Sequence, residues 1–195
     1  MTLWAVLALG GTLAMSAYSN TDGPAAHTPE GWISSSTLEL SADRPTLLFF
    51  LHPKCPCSRA SVAELSRLVM RAGEAMALTA VIYHPENSSP EWEGDLGRRM
   101  REISGAEIHV DRGGVEAERF GVTTSGHALL FDREGTRLYS GGITAGRGHE
   151  GENRGRRAIE EWLHQSSPAS ATGAPTFGCT IRVPDDTSAE TEGVE

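Results

Sequence analysis

The chain has 195 residues, which is enough for one domain with an ordinary core plus extensions. Its formal net charge is −9 at pH 7, and this acidic balance argues against a nucleic-acid-binding protein, which needs a basic face. The chain has only three cysteines, so it is not a disulfide-rich scaffold, and one thiol is left over if two pair. We therefore expect the cysteines to serve chemistry rather than structure.

The first segment is an uncharged, largely apolar stretch, Leu3–Tyr18. It is shorter than the roughly 20 residues that usually span a bilayer, and it suits the apolar core of a signal peptide equally well. We expect residues 1–18 to be a signal peptide or a membrane anchor, with cleavage left open. This places the protein outside the cytoplasm, either periplasmic or attached to a membrane. Residues 19–30 are polar, contain glycine and proline, and are expected to form a linker.

The next pattern is a buried strand that runs directly into a helix. The run Thr46–Leu51 is apolar and of strand length, and a His-Pro pair ends it. Beyond it, apolar residues at three- and four-residue spacings predict a helix that continues to about Arg71. Cys55 and Cys57 lie at the junction, in the sequence Cys-Pro-Cys-Ser.

Cys55 is predicted to be a reactive thiol. Pro56 suits a first helical turn, because its missing N–H would have no intrahelical partner there, and this places Cys55 near the N-cap. The sulfur would then accept hydrogen bonds from free amides at the positive end of the helix dipole, and Lys54 and Arg59 add positive charge. Such surroundings lower a cysteine pKa enough to give a thiolate at neutral pH. The alternative is two semi-buried structural cysteines.

The chain beyond this helix alternates strands and helices. Strands are predicted at Leu78–Tyr83, Ala106–Val110, Ala128–Phe131 and Arg137–Ser140, and helices at Glu91–Ile103, at Val115–Phe120 and from Asn153 to about His164. A short extended piece is expected within Gly31–Asp43. The order βαβαβαββα predicts an α/β fold with a mixed sheet and helices on both faces. Ligand chemistry then belongs at the carboxyl end of a strand, where Cys55 lies.

The end of the chain is expected to be a tail. Residues 166–195 are small, polar and increasingly acidic, which predicts that they are mostly disordered. One apolar patch, Pro175–Ile181, interrupts the tail and carries Cys179. Phe177 and Ile181 would dock this patch on the domain and bring Cys179 to one of the other thiols. The alternative is a stray tail thiol.

A glycine-rich loop, Gly141–Gly151, follows the predicted hairpin. If it folds over the thiols, Arg147 would hold an anion and His149 a metal ion. The alternative is a solvated loop without a ligand. Ser58 has no visible base partner in the sequence, so helix capping is its expected role.

The strand, the cysteines and the helix resemble the thioredoxin-like superfamily, in which a buried strand runs into Cys-x-x-Cys at a helix start. Aligned from Phe50, Cys55 falls on the nucleophilic first cysteine of the family and Ser58 on the resolving second one. Phe120–Val122 and Leu129–Asp132 resemble the stretch before and through the terminal hairpin. The resemblance covers roughly Thr46–Leu163, and the thioredoxin-like domain is expected at residues 31–165. The whole chain, with its apolar start, Cys-Pro-Cys-Ser, Gly-Gly-Ile-Thr and Phe-Gly-Cys, is similar to bacterial RedB-type exported thioredoxin-fold proteins.

The chain departs from the family pattern in two ways. The second cysteine is replaced by Ser58, while an extra thiol, Cys57, lies one position earlier. The cis-proline of the family, which presents backbone to the substrate disulfide and keeps metals away from the thiols, is replaced by Gly126 on this alignment. Its replacement leaves room for metal binding. The alignment also places His127 beside the thiols, either as a proton carrier or ligand or as a half-exposed strand histidine.

The resemblance implies a thiol–disulfide oxidoreductase or a thiol peroxidase that acts on protein thiols or disulfides without a cofactor. In this hypothesis the Cys55 thiolate attacks a substrate disulfide, and Cys57 or Cys179 resolves the mixed disulfide. The alternative is a non-enzymatic copper-binding protein, because soft thiolates at Cys55 and Cys57, joined by Cys179 or His149, suit Cu(I). A third possibility is a degenerate domain that serves only as a binding module.

Overall fold

The computed structural model describes residues 2–164 and 172–181. The apolar patch that carries Cys179 therefore lies within the described chain. The disorder predicted for residues 166–171 and 182–195 falls on residues outside it.

Five helices and six strands make up the described chain. The helices are α1 (Thr2–Ser19), α2 (Ser58–Ala72), α3 (Gly94–Arg101), α4 (Val115–Arg119) and α5 (Arg154–His164), with 3-10 turns at Gly73–Ala75 and Pro90–Glu93. The strands are β1 (Thr46–Leu51), β2 (Ala77–His84), β3 (Ala106–Arg112), β4 (His127–Phe131), β5 (Arg137–Gly142) and β6 (Gly173–Ala174). They form one sheet in the order β3-β2-β1-β4-β5-β6.

The sheet is mixed, as predicted. Strand β1 pairs with β2 in parallel, and β2 with β3. Strand β4 is antiparallel to β1. It is also antiparallel to β5, to which a hairpin joins it. The short β6 pairs in parallel with the outer edge of β5 and was not predicted. The carboxyl ends of β1 and β2 lie at one edge of the sheet, where the cysteine-bearing loop begins.

Strand β1 lies at the centre of the fold, and all six of its residues are buried. Because successive side chains of a strand point to opposite faces, Phe49 contributes to one hydrophobic cluster and Phe50 to the other. The first cluster includes apolar residues of α2, α3 and α5. The second includes Ala117 of α4, Phe120 and Ile181. The prediction of helices on both faces is therefore confirmed.

Two predicted elements differ from the structure. The helix expected at Glu91–Ile103 is divided into a 3-10 turn and α3, and Gly94, with φ of +62°, lies at their junction. A backbone at positive φ cannot continue a right-handed helix, so the helical register is broken there. Within Gly31–Asp43 the backbone forms no strand, and only an isolated bridge joins Gly31 to Thr136.

Helix α1 covers the apolar segment at the start of the chain. Its exposed large apolar side chains are Leu3, Trp4, Val6, Leu7, Leu9, Leu13, Met15 and Tyr18. Within the described ranges, no helix has the combined length and apolar character of a membrane span. The segment that follows α1 has no helix or strand but contacts the domain, because Gly23 N–H donates to Thr176 O (2.8 Å) and His27 N–H donates to Gly121 O (3.2 Å).

Candidate functional site

The loop between β1 and α2 carries two of the three thiols. It is closed by hydrogen bonds from Cys55 N–H to His52 O (3.0 Å) and from Ser58 N–H to Cys55 O (3.1 Å). Helix α2 begins at Ser58, so its N-cap is Cys57, which makes no capping hydrogen bond through its side chain. Cys55 therefore precedes the helix by one turn rather than capping it, and its sulfur remains next to the first helical residue.

The third thiol reaches this loop on residues 172–181, which we call the strap. Strap residue Cys179 accepts a hydrogen bond at its carbonyl oxygen from Ser125 N–H (2.9 Å), and Ile181 N–H donates to Thr123 O (2.9 Å). The Ile181 side chain is 1% exposed and packs in the second hydrophobic cluster. Gly178 lets the strap approach closely, since a Cβ there would lie 2.0 Å from Ser125 O. The structure thus docks this patch on the domain.

The three sulfur atoms lie within 4.8 Å of one another. The Sγ atoms of Cys55 and Cys179 are 2.8 Å apart, and Cys179 N–H also donates to Cys55 Sγ over 3.3 Å. Cys55 is 2% exposed and Cys57 is 8% exposed, whereas Cys179 is partly exposed. The least accessible of the three thiols is therefore the one predicted to attack substrates.

Comparisons with known proteins find structures that resemble this chain. No protein-family model matches the chain. No curated protein matches it either. A hypothetical protein from Sinorhizobium meliloti is 20% identical, with a TM-score of 0.60 over 83% of this chain and 94% of that one. An uncharacterized conserved protein from Geobacillus kaustophilus is 18% identical, with a TM-score of 0.61 over 86% and 93%. A secreted Mycobacterium tuberculosis disulfide oxidoreductase is 16% identical, with a TM-score of 0.45 over 64% and 83%.

The chain has a thioredoxin-like fold. Its cysteine-bearing loop lies where a thioredoxin-like sheet places its chemistry, at the carboxyl end of the central strand and before the first helix packed on the sheet. At these identities the likeness shows the fold, so the chemistry is argued from the contacts of the thiols.

The environment makes Cys55 the most acidic of the three thiols. Burial raises the pKa of Cys55, but hydrogen bonds from the Cys179 thiol, the Ser58 side chain and two backbone amides lower it, and the net pKa lies below its ordinary value. Burial and the negative charge of Cys55 raise the pKa of Cys57, against a hydrogen bond from Arg147. Burial and the hydrogen bond to Cys55 raise the pKa of Cys179 to about 12.

Ser58 has a role that the sequence did not reveal. The N-cap of α2 is Cys57 and not Ser58, contrary to the expectation. The Ser58 hydroxyl lies 2.7 Å from the Ser125 hydroxyl, which also accepts a hydrogen bond from His52 N–H (2.7 Å). Both serine side chains are fully buried. The hydroxyl that replaces the second cysteine of the thioredoxin-like pattern thus helps to hold negative charge on Cys55.

Arg147 fastens the strap to the glycine-rich loop. Its Nη1 donates to Gly178 O (2.7 Å) and its Nε donates to Thr21 O (2.9 Å). The same guanidinium hydrogen-bonds the Cys57 thiol and lowers its pKa in part. His149 is exposed, and its Nδ1 lies 2.9 Å from Arg147 O. In the described chain the thiol cluster contains Cys179, and His149 is not a member of it.

His127 is buried, not half-exposed as expected. Its Nε2 lies 3.0 Å from Ser140 Oγ and its Nδ1 lies 3.0 Å from Thr176 Oγ1 on the strap. Burial lowers the pKa of His127 to about 4, so the ring is neutral at physiological pH. It therefore joins the strap to β5, and the proton-carrier hypothesis has no support from these contacts.

Gly126, which the alignment matches to the cis-proline of thioredoxin-like proteins, has a backbone conformation that proline cannot adopt. Gly126 has φ of +89°, and a Cβ there would lie 2.7 Å from Ser61 Oγ, so a proline is excluded. The peptide bonds of the described chain are all trans. The strap, through Cys179 O and Ile181 N–H, occupies the backbone groups of the neighbouring residues 123–125.

Proposed function

We propose that the protein is an extracytoplasmic thiol–disulfide oxidoreductase in which Cys55 and Cys179 form the redox couple and Cys55 is the nucleophile. The observation that carries the proposal is the 2.8 Å separation of their sulfur atoms, across 124 residues of sequence. Hydrogen bonds that stabilise a Cys55 thiolate support the assignment of the nucleophile, because the thiolate is the reactive form.

The couple cycles between two thiols and one disulfide. Oxidation of Cys55 and Cys179 forms the S–S bond and releases two electrons and two protons to a partner disulfide, and reduction by a partner dithiol reverses the change. Cys179 is preferred over Cys57 as the second member, because Cys57 would close a small, strained ring with Cys55.

The proposed location and partners follow from the same features. An apolar helix at the start of the chain, with its large side chains exposed, supports export or attachment to a membrane through residues 3–18. A redox couple of this kind suits an oxidising compartment. The proposed partners are protein thiols and disulfides.

Copper binding is the second candidate, and the three-sulfur cluster favours it. Three thiolates within 4.8 Å of one another form a soft donor set that fits Cu(I). Cys55, Cys57 and Cys179 would hold the ion, which would make the protein a carrier of Cu(I) when all three are reduced. Of the two expected third ligands, Cys179 rather than His149 belongs to this cluster.

The test compares three single Cys→Ser variants in a disulfide-reduction assay with insulin and in a Cu(I) competition assay. We expect Cys55→Ser and Cys179→Ser to abolish turnover, and peptide mapping of the oxidised wild type to find the Cys55–Cys179 disulfide. Turnover of Cys55→Ser equal to that of the wild type would remove the proposal. Near-stoichiometric Cu(I) that is lost in Cys57→Ser, without disulfide turnover by the wild type, would instead establish the copper function.

A further inference from the structure

We infer that partner thiols exchange at Cys179, so that Cys179 carries the mixed disulfide. The Cys55 thiolate is then the nucleophile of the intramolecular step, in which it attacks Cys179 Sγ, forms the Cys55–Cys179 disulfide and releases the partner thiolate. This inference rests on the proposed Cys55–Cys179 couple. It reverses the assignment expected from the sequence, in which the first cysteine of the loop meets the substrate.

Accessibility is the first argument. Cys55 is 2% exposed, and the thiol and the N–H of Cys179 both lie against its sulfur. Cys55 lines a groove of about 260 Å³ between the cysteine-bearing loop and Trp92–Leu96, but it remains only 2% exposed there. Cys179 is partly exposed. Of the two cysteines of the couple, Cys179 is therefore the more accessible to a protein thiol that approaches from solvent.

The contacts of the strap hold Cys179 in place over the sulfur of Cys55. Arg147 binds Gly178 O, the backbone of residues 123–125 pairs with the strap on either side of Cys179, and Ile181 is buried in the second hydrophobic cluster. Lifting the strap would expose Ile181 and leave these backbone groups unpaired, which costs free energy. Exchange at the partly exposed Cys179 requires none of these losses.

The hydrogen bonds around Cys55 also favour attack of the partner thiolate on Cys179, with Cys55 as the leaving group. When a partner thiolate attacks Cys179 Sγ of the disulfide, a new S–S bond forms to the partner, the Cys55–Cys179 bond breaks, and the electron pair leaves on Cys55 Sγ. The leaving sulfur is stabilised by donors from Ser58 and by Cys179 N–H (3.3 Å). A second thiolate of the partner then attacks the partner's own sulfur in the mixed disulfide. This closes the partner's disulfide and releases Cys179, which takes up a proton.

The experiment locates the mixed disulfide in the full chain. Oxidised Cys57→Ser is exposed briefly to reduced glutathione, quenched with acid, alkylated with iodoacetamide and mapped by mass spectrometry. We expect glutathione on Cys179 and the alkyl group on Cys55, with at least a tenfold excess over the reverse pattern. Reduced Cys57→Ser, treated in parallel, is the control for glutathione added after the quench.

The opposite pattern, glutathione on Cys55 and the alkyl group on Cys179, would overturn the inference and leave the proposed couple intact. If oxidation produces no Cys55–Cys179 disulfide, the couple itself is wrong and the inference falls with it. The same mapping on the wild type, which keeps all three thiols, guards against a folding defect in the variant.

Discussion

The docking of the strap through Ile181 gives a prediction whose size can be worked from the structure. Ile181 is 1% exposed and lies in a cluster with Phe50 and Phe120. Replacing a buried isoleucine by alanine costs about 2–5 kcal/mol. Taking the low end, because the residue belongs to a peripheral segment, Ile181→Ala should favour opening of the strap by about 2 kcal/mol. Since 1.4 kcal/mol is tenfold in an equilibrium constant, this is an increase of roughly 30-fold.

Amide hydrogen exchange on the reduced protein measures this opening directly. The Ser125 amide donates to Cys179 O on the strap, and the amide of residue 181 donates from the strap to Thr123 O. Both amides should lose roughly 30-fold in protection, while the amides of β1 keep theirs. Val115→Ala, at an apolar residue that is 43% exposed, is the control and should leave both sets unchanged. Equal loss of protection in the strap and in β1 would refute the view that the strap opens on its own. No change in either set would refute the burial argument.

Three further predictions concern the contacts of the thiols. Ser58→Ala removes a hydroxyl that donates to Cys55, so the pKa of Cys55 should rise and iodoacetamide labelling of Cys55 should shift to higher pH; an unchanged labelling curve would contradict the hydrogen bond. Arg147→Ala removes the side chain that fastens the strap and that lowers the pKa of Cys57. The pKa of Cys57 should therefore rise further, and disulfide formation in a glutathione buffer should be slower than in the wild type. Equal rates would show that the strap is held without Arg147. In the folded protein the pKa of His127 is about 4, below its unfolded value of 6.5. The contribution of His127 to the free energy of unfolding is therefore full above pH 6.5 and is lost as the pH falls toward 4. Denaturant titrations at several pH values should show a smaller loss of stability over this range in His127→Asn than in the wild type.

The central part of the fold could be predicted because its signals are local. The apolar run of β1 and the three- and four-residue spacing of α2 are properties of short stretches, and the structure places both elements within a few residues of the expectation. The division of the helix after Pro90 was missed, although Gly94 was its visible signal.

The composition of the site could be predicted only in part. Cys55 was expected to owe its acidity to the helix dipole, Lys54 and Arg59, whereas the largest lowering contributions come from Cys179 and Ser58. These contacts depend on the strap, which is fixed by backbone pairing with residues 123–125. Such pairing leaves almost no trace in the sequence, because it uses main-chain groups common to every residue. The burial of His127 was missed because one of its two partners, the Thr176 hydroxyl, lies on the strap.

The long separation between the paired thiols has a consequence for biosynthesis. Cys55 and Cys179 are 124 residues apart, so the loop thiols emerge from the ribosome well before the strap is made. Until then Cys55 lacks both the cover and the hydrogen bonds that the strap supplies, and it can react with Cys57 or with thiols of other chains. A newly made molecule therefore completes the proposed Cys55–Cys179 couple only when the strap has docked, and a chain interrupted before residue 172 would carry an unprotected pair of cysteines.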